Sequence, residues 1–253
     1  MIELIRNCSH GSEIATYLPE KAEAAKYIIK VASTPVVIKN LRSEVEGWSW
    51  YQSMRYQQNK RPICQVIKEG ESYLKIQVEF IDGIKVDCTR GLEKNAKVVK
   101  KIIEHYCSIW PYHPNETSPL HGDFSLDNVI YNSEGIHIID WEHFNPSAAP
   151  WGLDALYLLF ETLCFGMRRR NRSPQKEINI LADSINFLNR NNRLEPQAVN
   201  NPLKFTKGFI IDNPRLWGNQ LTTFPDKFPI LRFTHDQVAL IDHMLFSKLN
   251  GKT

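Results

Sequence analysis

His121-Gly122-Asp123-Phe124-Ser125-Leu126-Asp127-Asn128 is followed, after a short apolar run, by Ile138-Ile139-Asp140-Trp141-Glu142. This stretch decides how the rest of the chain is read. An aspartate with an asparagine five residues later, and a second aspartate closing an apolar strand, is a donor set suited to metal-assisted phosphoryl transfer. One carboxylate can accept the proton of an attacking hydroxyl. The amide oxygen and the other carboxylate can hold a magnesium ion that bridges nucleotide phosphates. Taken singly, Asp123 and Asn128 are ordinary turn residues. Their joint pattern on a loop followed by two strands carries the reading.

Outward from this stretch the chain changes character. The first ninety residues read as strand-rich. Strands are expected at Glu3–Cys8, Glu13–Leu18 and Ala24–Val31, followed by a hairpin of Pro62–Ile67 and Tyr73–Phe80 turning at Lys68–Glu71. Ser43–Gln58 reads as a helix, with Val45, Trp48, Tyr51 and Met54 at three-residue steps. Trp48, Trp50 and Tyr51 are expected in a core. From Leu92 the period becomes helical: Leu92–Trp110, Leu153–Cys164, Lys176–Arg190 and Asp236–Leu249, the last capped by Thr234 or Asp236. Asn128–Tyr131 and Gly135–Ile139 form a short hairpin. Asn191–Phe233, rich in Pro, Asn and aromatics, gives no clear period. The expected architecture is α+β, with an N-terminal β-rich lobe over residues 1–83 and an α-rich lobe over 84–253.

Composition excludes little but guides the search. Hydrophobic residues at 42% with 23% charged describe a globular chain. A net charge of +3 is too small to argue for a nucleic-acid partner. The charge is uneven: residues 1–154 carry 17 Lys/Arg against 20 Asp/Glu, and residues 155–253 carry 14 against 8. Five scattered cysteines without C-x-x-C spacing read as reduced thiols. No membrane-length apolar run is present and the first residues lack a signal-peptide core, so a cytoplasmic protein is expected.

The H-G-D-x-x-x-x-N and I-D-W-E patterns resemble the aminoglycoside phosphotransferase and choline kinase family, small-molecule kinases with a protein-kinase-like two-lobe fold. The resemblance spans residues 1 to about 165 and is strongest at His121–Asn128 and Ile138–Glu142. It implies ATP and Mg2+ as cofactors and a small-molecule hydroxyl as acceptor. Asp123 would be the catalytic base, and Asn128 and Asp140 the metal ligands. His121 would brace the loop and Asp154 anchor it. Gly122 stands where protein kinases carry an arginine, so control by activation-loop phosphorylation is not implied. Glu142 reads equally as a metal-site carboxylate or an ion-pair partner. Glu79-Phe80-Ile81 stands where such kinases place the hinge that pairs with adenine, so Glu79 and Ile81 join the nucleotide-binding set.

A strand lysine must also meet the α- and β-phosphates, held by a helix glutamate. Lys30 ends Tyr27-Ile28-Ile29-Lys30 and precedes Glu44 by fourteen residues, room for a strand exit and a helix start. Lys39, after Val36-Val37-Ile38, stands only five residues before Glu44. Lys30 with Glu44 is preferred, with Glu46 as the reserve partner. In Asn7–Ser12 the amides and the residues Ser9, Gly11 and Ser12 could cradle phosphate, or form a plain hairpin turn. Arg168–Arg172 reads as a solvated loop or as an attractor of anions.

The expected activity is ATP- and Mg2+-dependent transfer to a neutral or anionic sugar-like, or an amino-alcohol, acceptor. The competing reading is a pseudokinase or nucleotide-binding scaffold without turnover. A protein kinase is disfavoured, because only about eleven residues separate Glu142 from the Leu153 helix.

Overall fold

The computed structural model describes residues 2–8, 12–18, 27–55, 63–114, 116–168, 174–190, 193–217 and 228–251. Ser9, Gly11 and 169–172 of the arginine run lie outside the described residues, as does the side chain of Ser12. The chain divides into two units, Met1–Gly83 with Ile139–Asn145, and Ile84–Ile138 with Pro146–Thr253.

The first unit is built on a five-stranded antiparallel sheet. Its strands are β1 (Ile2–Cys8), β2 (Ser12–Leu18), β3 (Tyr27–Ala32), β4 (Cys64–Gly70) and β5 (Tyr73–Glu79), in the order β1-β2-β3-β5-β4. Strand β3 lies between β2 and β5, with Lys30 opposite Ile76 and Ala32 opposite Leu74. Cross-strand partners share a face. Leu74, Ile76 and Val78 are buried, so Lys30 stands on the face the unit buries. A register shift between Val66 and Lys68 lets β4 run on to Gly70. The turn is therefore Glu71-Ser72, at the far end of the polar Lys68–Glu71 segment that suggested it.

Helix α1 spans Pro35–Arg55 and begins eight residues before the expected Ser43. Val36-Val37-Ile38 reads as strand because β-branched residues favour strands. Pro35 instead takes the first helical position, where its missing N–H costs nothing, and Ile38 N–H already bonds Thr34 O at 2.9 Å. Lys39 is thus an exposed helical residue. One α1 stripe is buried: Val37, Ile38, Leu41, Glu44, Gly47, Trp48 and Tyr51. That is a helical core face with one carboxylate in its middle.

The second unit is mostly helical: α2 (Gly91–Ile109), α3 (Leu153–Met167), α4 (Pro174–Leu188), α5 (Pro196–Asn200), α6 (Pro202–Asp212) and α7 (His235–Leu249). Strands β6 (Ile84–Lys85), β8 (Val129–Asn132) and β9 (Gly135–Ile138) pair antiparallel, and β7 (Ser118–Leu120) pairs with β10 (Asn145–Ala149). Helix α3 is buried nearly all round, as expected of a core helix. Helix α7 starts at a full capping box of Thr234 with Gln237, which settles the cap on Thr234. The short β6, β7 and β10 and the helices α5 and α6 have no counterpart in the sequence reading. Ser-Pro-Leu and Asn-Pro-Ser-Ala-Ala show no period-2 alternation. The prolines at 196 and 202 open helices rather than mark irregular chain.

Candidate active site

In the first unit, sheet and helix bring a lysine and two carboxylates together. Lys30 Nζ donates to both Glu44 oxygens at 2.7 Å and to Asp140 Oδ1 at 3.0 Å. Glu44 is 1% exposed, whereas the Asp140 side chain is 41% exposed. Burial alone would pull the Lys30 ammonium down, but Glu44 and then Asp140 outweigh it, and the net direction is up. Burial pushes Glu44 up, and Lys30 opposes that push. With both oxygens at 2.7 Å from the ammonium, we take the pair as ionised.

Asp140 has φ 64, the one positive value outside glycine among the described residues. A non-glycine residue in the left-handed region is strained, and such strain clusters at functional positions. Trp141 and Phe144 fix the segment that carries it. Trp141 lies 5.1 Å from Tyr51 and 5.6 Å from Trp50, and Phe144 lies 5.5 Å from Trp50. Gly47 lets the segment approach, since a Cβ there would stand 2.6 Å from Trp141 Cβ. Glu142 lies 3.3 Å from His143 Nε2. Glu46 is exposed on α1. Glu79 ends β5 with its N–H bonded to Ile63 O at 2.8 Å, and half-buried Ile81 follows the strand.

In the second unit, the segment from His121 to Asn128 is held by hydrogen bonds. Asp154, at the start of α3, accepts from His121 N at 2.7 Å and from Gly122 N at 3.2 Å. Gly122 takes φ 84, open to glycine, and its carbonyl accepts from Trp217 Nε1. His121, fully buried, accepts from Asp123 N at 3.2 Å through Nδ1. Asn128 Nδ2 donates to Asp123 O at 2.8 Å and to Oδ2 at 3.1 Å. That orientation spends the nitrogen and turns the amide oxygen, an acceptor, away from those bonds. The loop rests on an aromatic floor, where Phe124 lies 5.9 Å from Tyr106 and 5.8 Å from Trp110.

Two groups here, Trp217 and Glu161, were not singled out from sequence. Trp217 carries no local signal. Glu161 interrupts the apolar run of α3, itself a signal, because acids are rarely buried without a reason. It is 6% exposed and takes a 3.3 Å bond from Tyr157. Burial first, then the charges of Asp123 and Asp127, push its carboxyl well up. Burial likewise pushes the Cys64 and Cys88 thiols up to about 12, which keeps them protonated.

Among the described residues no three His, Cys, Asp or Glu form a metal cluster, and no helix is long and apolar enough to cross a membrane. Magnesium does not need such a cage, since it is held by one or two protein ligands plus phosphates and water. In the first unit the partly exposed Asp140 carboxylate, and in the second the Asn128 amide oxygen, are each a donor of the kind magnesium takes.

No protein-family model and no curated protein matches the chain. Solved structures do match. Amicoumacin kinase hAmiN, in complex with AMP-PNP, Ca2+ and Ami, aligns over 98% of this chain and 88% of its own at 13% identity, TM-score 0.51. An aminoglycoside phosphotransferase from Alicyclobacillus acidocaldarius subsp. acidocaldarius DSM 446 aligns over 99% and 91%, also at 13% identity, TM-score 0.50. The likeness is one of fold: this chain has the α+β fold of these small-molecule kinases.

Proposed function

We propose that the chain is an ATP- and Mg2+-dependent phosphotransferase acting on a hydroxyl of a small molecule. The observation that carries this reading is the buried ammonium of Lys30, gripped by Glu44 and reaching an exposed Asp140. Structure alone gains little from such an arrangement, because a buried ion pair is weak evidence for stability. It suits a lysine meant to meet anionic phosphates. In this reading Glu44 holds Lys30 toward the α- and β-phosphates. The Asp140 carboxylate and the Asn128 amide oxygen are the atoms that would ligate magnesium, and the ion, when bound, would supply positive charge for the phosphates. Asp123 orients the acceptor hydroxyl and takes its proton. Its backbone ties to His121 and Asn128 fix the direction of its carboxylate.

The acceptor follows from local charge more than from the chain average. Asp127 adds a second carboxylate four residues from Asp123, while Glu161, its carboxyl pushed well up by burial, supplies a neutral acid. This favours a donor-rich acceptor, a sugar-like polyol or an amino alcohol, over an anionic one. A steady-state ATP turnover assay over a panel of polyols and amino alcohols, run on the parent and Asp123→Asn, tests the proposal. Asp123→Asn should keep the fold and nucleotide affinity and lose at least about a hundredfold in turnover. Undiminished turnover in that variant would remove Asp123 from the chemistry. No turnover with any acceptor would favour the nucleotide-binding scaffold.

A further inference from the structure

Helices α6 and α7 enclose a groove of about 770 Å3, lined by none of the residues assigned above to phosphoryl transfer. Its α6 wall is Lys204, Lys207, Gly208 and Ile211, one face of the helix at three- and four-residue steps. The α7 wall brings Val238, Ala239 and Phe246, with His235 and His243 at its edges. The volume lies in the range of small-molecule sites.

Three observations say what would fill it. Its charge is one-sided. Among the described residues Asp242 is the only acid lining it, and both its oxygens bond α6, accepting from Leu203 N at 2.9 Å and Lys204 N at 3.0 Å. Among the described residues neither Lys204 nor Lys207 joins an ion pair; Lys207 Nζ donates to Phe233 O at 2.5 Å. Burial pulls the Lys207 ammonium down, so an arriving anion would meet a lysine short of counter-charge. Next, the lining carries an apolar stretch of Ile211, Val238, Ala239 and Phe246, with Ile211 53% and Phe246 39% exposed, beside the polar Asn200, Asn201, His235 and His243.

Gly208 is the third observation. It lies inside α6, where glycine costs about 1 kcal/mol relative to alanine. Nothing in the fold requires it, because a Cβ there would meet no atom within 4 Å. With no side chain at 208, the α6 backbone lies bare toward the groove and a bound molecule can approach it closely.

We propose that the α6–α7 groove binds a small amphiphilic anion, its carboxylate or phosphate at Lys204 and Lys207 and its apolar body over Gly208 against Ile211 and Phe246. This site stands apart from the phosphotransferase reading, and its test needs no turnover. Octanoate, octyl phosphate and 1-octanol are titrated into the full chain by calorimetry, with amide shifts in NMR locating the contact. At least one anion should bind saturably at one site, shifting amides of α6 and α7, with octanol at least tenfold weaker. Whichever anion binds more tightly identifies the headgroup as carboxylate or phosphate. Gly208→Leu should weaken that anion at least tenfold while melting no earlier than the parent. Lys204→Glu, at an exposed position, should weaken the anion at least tenfold and leave octanol unchanged. Absence of saturable binding, octanol binding as well as the anions, or unchanged affinity in Gly208→Leu would each overturn the proposal.

Discussion

The candidate residues of the two units are held by different physics. In the first unit Lys30, Glu44 and Asp140 are side chains held by one another's charges. In the second, the backbone of His121 and Gly122 is pinned to Asp154, and the Asp123 carboxylate accepts from the Asn128 amide. The first arrangement couples binding residues tightly, so that losing one disables its partner. The second separates the anchor from the carboxylate proposed to react, so that Asp154 should govern folding and Asp123, on the proposed function, the chemistry.

The largest expected effect lies in the charge-held half. Lys30→Ala leaves Glu44 buried and uncompensated, which should cost roughly 3–5 kcal/mol in denaturant unfolding and remove the phosphate contact. Lys30→Ala/Glu44→Ala should be no less stable than Lys30→Ala, and its turnover should fall little further, as expected of coupled residues. Lys39→Ala, on the exposed face of α1, should change neither. Strictly additive losses would break the idea of a coupled pair.

Asp154→Ala probes the other half. Two buried N–H groups lose their acceptor, at about 1–3 kcal/mol. The pH dependence distinguishes this anchor from an ordinary ion pair. Burial outweighs the His121 and Gly122 hydrogen bonds and raises Asp154 from 3.8 to about 7. Between those values the native state holds a proton that the unfolded state has released. Its contribution to stability is therefore full below pH about 4 and falls as pH rises toward 7, by up to about 1.4 kcal/mol per unit. Unfolding free energies across that range should show this slope in the parent and lose it in Asp154→Ala. The same slope in both would assign the titration elsewhere.

The smallest effect tests how the Asp140 segment is held. Gly47→Ala sets a methyl group 2.6 Å from Trp141 Cβ and 2.9 Å from Phe144 Cβ, so overpacking should cost about 1–3 kcal/mol. A neutral outcome would mean that the Ile139–Asn145 segment yields easily on α1.

What was legible in the sequence was local. The contact between Lys30 and Glu44 could be read because a strand, a short exit and a helix need about the fourteen residues that separate them. The start of α1 could not, since Val36-Val37-Ile38 has strand propensity and only burial against the sheet overrides it. Helices α5 and α6 were hidden by Pro196 and Pro202, which look like breakers until they are seen at first helical positions. Asp242 caps α6 from 39 residues away, a relation no local pattern carries. Trp217 reaches Gly122 across 95 residues for the same reason. Glu161 was legible in principle, as an acid inside the apolar Leu158–Leu163 run.

The central claim is that Asp140 is kept partly exposed beside Lys30 to hold a metal against nucleotide phosphates. Calorimetric titration of ATP with and without Mg2+, on the parent and on Asp140→Ala, tests it most directly. The account predicts that magnesium tightens ATP binding to the parent and does nothing for the variant, with affinity lost by at least about tenfold. Equal ATP affinity in parent and variant under both conditions would contradict it.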